Sequence, residues 1–173
     1  MAKKQSQKRK LPKSDSHAKS ELPLALKLIR LLDCKSEQNI VAGRPLSTFN
    51  VKASCETAEP VDQNGIYLLK YRVGSEVQWT DEQNDGQEGS RLTASCRFEA
   101  LFTATRQPSP SEVKAVGDTA ANCCWPYVRA FMSILFAQMG YGAVALPLLR
   151  IDPKHGMKLM VPENDAALQV QPE

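Results

Sequence analysis

At Pro108-Ser109-Pro110 the hydrophobic period of this chain changes from two to between three and four, and that switch limits the fold to a sheet followed by a long helix. Before it, three segments place apolar side chains on one sheet face and polar ones on the other. Phe49, Val51, Ala53 and Cys55 alternate with Asn50, Lys52, Ser54 and Glu56, and Tyr67, Leu69, Tyr71 and Val73 alternate with Lys70 and Arg72. From Leu92 to Ala104 the apolar row Leu92, Ala94, Cys96, Phe98, Ala100 and Phe102 faces away from Thr93, Ser95, Arg97, Glu99 and Thr103. The joints Ala58–Gly65 and Trp79–Ser90 are short and turn-rich, which suits antiparallel neighbours. The second joint holds Asp81, Glu82, Asp85 and Glu88 and reads as a solvated hairpin tip.

After the switch, Val113, Val116, Ala120, Cys123 or Cys124, Tyr127 or Val128, Phe131, Ile134 or Leu135, and Gln138 or Met139 follow helical spacing. Ser109 is placed to cap this helix, with Pro110 at its first position, Glu112 against the positive end of the dipole and Gly140 as its stop. Pro126 removes one intrahelical hydrogen bond, so a kink or restart is expected near Cys124–Pro126. Upstream, Glu21–Lys35 fits both a strand and a short helix, because its leucines satisfy both spacings. Downstream, Tyr141–Ile151 is too broken by Gly142 and Pro147 for a helix and too apolar for an exposed loop. Either the core or a partner must cover it.

The 173 residues, 42% hydrophobic, suffice for one domain and its tails. Residues 1–20 carry seven Lys/Arg against Asp15 and almost nothing to bury, and read as a disordered basic arm. Since the formal charge of the whole chain is +3, the rest is mildly acidic, and a nucleic-acid-binding core is not indicated. The expected division is arm 1–20, domain 21–160 and tail 161–173. Five scattered cysteines without C-x-x-C spacing suit a reducing compartment. No apolar run is long enough to span a bilayer, and the arm lacks the apolar segment of a secretory signal, so the expected location is cytoplasmic, without membrane insertion.

Little in the chain suggests catalysis. His17 lies in the arm and His155 in a loop, so any triad or multi-histidine metal site would have to pass through His155. Asn122-Cys123-Cys124 could suggest a thiol nucleophile, but cysteines on an apolar helix face read as small buried hydrophobes. The chain is therefore read as a non-enzyme, with no metal site and no cofactor. Leu101, Trp79, Tyr141, Val144, Leu146 and Leu148 fall on the wrong parity or in loops. One helix on one sheet face cannot hide all of them, which implies self-association, a binding groove, or both.

Three segments carry a family resemblance. Trp125-Pro126-Tyr127-Val128-Arg129 resembles the aromatic-Pro-Tyr-x-Arg motif on the long helix of the SecB export chaperones and their SecB-like relatives attached to toxin-antitoxin modules. Leu146-Pro147-Leu148-Leu149-Arg150-Ile151-Asp152-Pro153 is similar to the family's Phe/Leu-Pro-x-Leu-x-Leu-x-Pro segment. Ala94–Phe102 looks like its last strand, most of all that of the toxin-antitoxin relatives. Ala130 stands where a Glu usually follows the first motif, and His155-Gly156 where Asn-Phe is expected after the second.

The resemblance covers roughly residues 90–153 and implies an α+β fold, a four-stranded antiparallel sheet packed by the long helix, assembling as a dimer of dimers. It implies an ATP-independent chaperone, or holdase, that binds unfolded polypeptide in apolar grooves and keeps it competent for export or assembly. Its partners would be unfolded preproteins or an antitoxin, with the translocase motor SecA as a further candidate. The residues assigned to the groove are Phe98, Phe102, Trp125, Tyr141, Val144, Leu146, Leu148 and Leu149. Tyr127, Phe131 and Leu135 are assigned to contacts between protomers, and Pro126, Arg129, Pro147 and Pro153 to structural roles, Arg129 needing an acidic or carbonyl partner. A reading from another class is a nucleic-acid-binding protein acting through the basic arm, although the arm has no aromatic residue to stack on bases.

Overall fold

The computed structural model describes residues 22–42, 46–81, 89–142, 144–152 and 156–160, so the basic arm and the tail expected at 161–173 lie outside the described residues. In chain order the elements are β1 (Leu24–Asn39), β2 (Thr48–Thr57), β3 (Val61–Gln63), β4 (Ile66–Thr80), β5 (Arg91–Ala104), α1 (Pro110–Gln138), β6 (Leu148–Asp152) and β7 (Gly156–Met160). Four long antiparallel strands form the main sheet in the order β1-β5-β4-β2, with the short β3 added against the start of β4. The helix covers one face, and β6 and β7 make a separate hairpin.

The alternation read from the sequence places the core. Leu69, Tyr71, Val73, Val77 and Trp79 of β4 and Leu92, Ala94, Cys96, Phe98, Ala100 and Phe102 of β5 are all buried beneath α1. Trp79, expected in a loop, ends this buried row as part of β4, where it meets Phe49 edge-on at 5.6 Å. The ambiguous leucine segment is strand β1. Two register shifts, between Leu26 and Leu28 and between Leu31 and Asp33, break its period of two. The joint after β2 contains a hairpin turn through Asn64 (φ 56) and Gly65 (φ 81), the left-handed pair that a two-residue turn demands.

The outward face is a lattice of charge. Register aligns Glu56, Arg72, Glu99 and Arg30 in one row of alternating sign across all four long strands. In that row Arg30 donates two hydrogen bonds to Oε1 of Glu99, at 3.1 and 2.8 Å. In the next row Arg97 pairs with Asp33 at 2.7 Å and lays its stem over Gly74, where an added Cβ would sit 2.9 Å from Arg97 Cγ. The exposed Arg97–Asp33 pair contributes little stability singly, whereas Glu99 is buried and its bonds from Arg30 keep its charge paired. The order of these pairs across the sheet favours one alignment of the strands.

Helix α1 begins as expected. Ser109 accepts from the Glu112 amide, the Glu112 side chain accepts from the Ser109 amide, and Pro110 fills the first turn. The hydrogen bond from Arg106, with those from Ser109, holds the Glu112 carboxyl down at about 2 from an ordinary 4.5. A carboxyl depressed on folding adds stability above its unfolded pKa, and that stability is lost as pH falls. Glu112→Gln should therefore flatten the acid limb of stability between about pH 4.5 and 2, measured by denaturant titration at stepped pH.

The helix runs unbroken through Pro126, which is exposed, so the expected restart does not occur. Its end is a Schellman motif: the Gly140 amide donates to the Ala137 carbonyl and the Tyr141 amide to that of Phe136, with Gly140 at φ 86. That turn brings Tyr141 to Trp79, 5.6 Å between ring centroids.

Candidate functional site

The chemistry of this molecule lies in how its apolar surface is divided between core and exterior. Trp125 and Arg129, one helical turn apart on α1, reach the same strip of chain. Trp125 Nε1 donates to the Pro147 carbonyl at 3.0 Å, and Arg129 Nε donates to the Leu146 carbonyl at 2.9 Å. These bonds satisfy two consecutive carbonyls and pin the strip onto the helix while Val144 and Leu146 drop into the core. The next residue, Leu148, starts β6 and points away, 56% exposed.

The hairpin has two faces. Leu149 pairs with Leu159 and both pack against the core, whereas Leu148 pairs with Met160 and both are exposed. β7 also touches β2, which hydrogen-bonds only to β4 among the described residues. An apolar ridge of Leu148 and Met160 thus lies near a sheet edge that has no second strand partner among the described residues.

A second apolar surface lies at the opposite edge. Leu24, Leu26 and Leu31 of β1 pair with Ala104, Phe102 and Phe98, which puts them on the helix side of the sheet, yet each remains about two-fifths exposed (38%, 44% and 40%). The ring of Phe98 joins them to the helix, 6.2 Å from Tyr127 and 6.1 Å from Phe131. Tyr127 and Ile134 are more than half exposed, while Phe131 and Leu135 are half-buried.

Of the residues assigned to the groove, Phe98, Phe102, Trp125, Val144 and Leu146 are buried within the protomer. Tyr141 and Leu149 are half-buried and Leu148 is open. Pro147 is half-buried, and Pro153 lies outside the described residues, as does His155. Sequence reasoning missed Met160 and the β1 leucines. Pairing across a hairpin exposes the first, and the two bulges hid the second.

Burial argues against an activated thiolate at Cys55, Cys96 or Cys124. Burial pushes Cys96 and Cys124 up to about 12 and Cys55 to about 11, so these thiols stay protonated at neutral pH. Among the described residues no three His, Cys, Asp or Glu side chains gather as a metal site would need, and no helix is long and apolar enough to cross a membrane.

The four-stranded antiparallel sheet with a single long helix on one face is a SecB-like fold. One solved example is a SecB-like chaperone from Mycobacterium tuberculosis in complex with a peptide from an antitoxin. It matches with a TM-score of 0.57 and 20% identity, over 73% of this chain and 91% of that one. A protein of unknown function from Streptococcus agalactiae also aligns, with a TM-score of only 0.37 and 11% identity over 75% of this chain. No family model matches the sequence, and no curated protein matches it.

Proposed function

We propose that this protein is an ATP-independent chaperone that holds extended, apolar polypeptide segments. The observation that carries this reading is the exposed Leu148–Met160 ridge beside the edge of β2, which pairs only with β4 among the described residues. An extended client would add main-chain hydrogen bonds to β2 and lay alternate side chains on the ridge. A buried Leu or Phe anchor gains roughly 1.5–3 kcal/mol, of which about 1 kcal/mol survives the ordering of a flexible client. About eight anchors are then needed for micromolar binding. One ridge offers fewer than that, so the proposal includes self-association that places several ridges within reach of one client.

The second surface suits that self-association. Leucines on an edge strand, with Tyr127, Phe131, Ile134 and Leu135 on the adjoining helix, give a copy of the same chain a continuous apolar face, and the proposed assembly is a homotetramer built from dimers. Tyr127→Asp with Ile134→Asp should yield monomers at micromolar concentration by light scattering. An unchanged mass would remove this face from the assembly.

Two clients are in view, exported preproteins and an antitoxin. The antitoxin reading is favoured by the peptide bound to the Mycobacterium neighbour, by the likeness of Ala94–Phe102 to the last strand of the toxin-antitoxin relatives, and by His155-Gly156 standing where Asn-Phe is expected. The direct test is suppression of aggregation by the purified protein, without nucleotide, for an aggregation-prone antitoxin and for an unfolded preprotein. Failure with both sinks the chaperone reading. Success with the preprotein alone reverses the choice of client. The proposed location is the cytoplasm.

A further inference from the structure

The antiparallel register sets Cys34 of β1 directly opposite Cys96 of β5, on the side of the sheet that faces α1. Directly opposed residues have Cα atoms about 4.5 or 5.5 Å apart, according to the kind of pair. Both values lie inside the range of roughly 4.4–6.8 Å that a disulfide spans. The two thiols differ: Cys34 is exposed and Cys96 is buried. Cys96 also lies opposite Ser75 of β4 in register, so it sits between the two neighbouring strands. The bulge between Leu31 and Asp33, just before Cys34, gives β1 local slack at this point.

We infer that Cys34 and Cys96 are a reversible redox pair whose disulfide staples the edge strand β1 to β5, closed by a small disulfide such as oxidised glutathione and opened by excess thiol. The Cys34 thiolate attacks one glutathione sulfur, forming a mixed disulfide and expelling the other glutathione as a thiolate. Cys96, on losing its proton, then attacks Cys34 Sγ and expels the second glutathione. Two protein thiols are oxidised by two electrons, one glutathione disulfide is reduced to two thiols, and the two protons end on these. The order follows from access: the open Cys34 sulfur meets the oxidant first, and the covered Cys96, opposite it in register, resolves the mixed disulfide. β1 is mostly exposed on both faces and depends on its backbone ladder, so it is the strand that gains most from a side-chain tether.

The test is equilibration of the native full chain in glutathione buffers of graded oxidation, acid quenching, alkylation, intact mass and peptide mapping. The expected product has three alkylatable thiols instead of five, is lighter by two hydrogens, retains no glutathione and links the peptides of Cys34 and Cys96. Amide exchange within β1 should slow about tenfold on closure and recover with dithiothreitol. Cys34→Ser, at an exposed position, should abolish both effects. Glutathione stably retained on Cys34, a disulfide between two copies, a link joining Cys55 to Cys124, or five thiols persisting in the most oxidising buffer would each overturn the pair.

Discussion

A variant carrying Leu148→Asp and Met160→Asp should bind an extended apolar peptide about 30-fold more weakly, two anchors at about 1 kcal/mol each, while its melting midpoint stays near that of the parent. Both side chains already face solvent, 56% and 48% exposed, and meet across the hairpin, so the substitutions remove contact area without opening a cavity. Fluorescence anisotropy with a labelled peptide reads the affinity, and thermal unfolding guards against trivial damage. Undiminished affinity would show that the outer face of the hairpin holds no client.

Trp125→Ala should have the largest effect on the protomer itself, a loss of about 3–5 kcal/mol for truncating a large core aromatic. The indole is 4% exposed, and its N–H holds the Pro147 carbonyl at 3.0 Å. Removing it opens a cavity and frees the strip that carries Leu148, so client binding should fall along with stability. Trp125→Phe keeps most of the ring and loses only the donor, and should cost nearer 1 kcal/mol. Denaturant unfolding at one fixed protein concentration compares the three, since a self-associating chain changes apparent stability with concentration. A Trp125→Ala loss below about 1 kcal/mol would contradict the clamp.

The main sheet was legible because one of its faces is buried, which writes a period of two into β2, β4 and β5. Ser109, Pro110 and Glu112 announced the start of the helix through local chemistry alone. Where reading stopped short, particular residues interrupted the signal. Ser75 sits in the buried row of β4, its hydroxyl without a partner among the described residues, and it cut the apolar series before Val77 and Trp79. In β1 the bulges turned alternation into something a helix could also satisfy. The run Leu146-Pro147-Leu148-Leu149 mixes a buried anchor, a half-buried turn residue and an exposed ridge, and only the bonds from Trp125 and Arg129 to its backbone sort them. The same motif that supplied the resemblance therefore hid the site: its aromatic and its arginine serve to hold the strip, and the surface they present belongs to residues further along the chain.

The seat that Gly74 provides for Arg97 bears on how the strands find one another. A slip of one residue between β4 and β5 would be rejected at once, because it turns the core outward. A slip of two keeps every greasy side chain inside and escapes that check. It would, however, set the Arg97 stem on Arg72 or Glu76, the next outward positions along β4, instead of on the bare backbone of Gly74. One missing methyl thus proofreads the pairing that the oily face alone would accept.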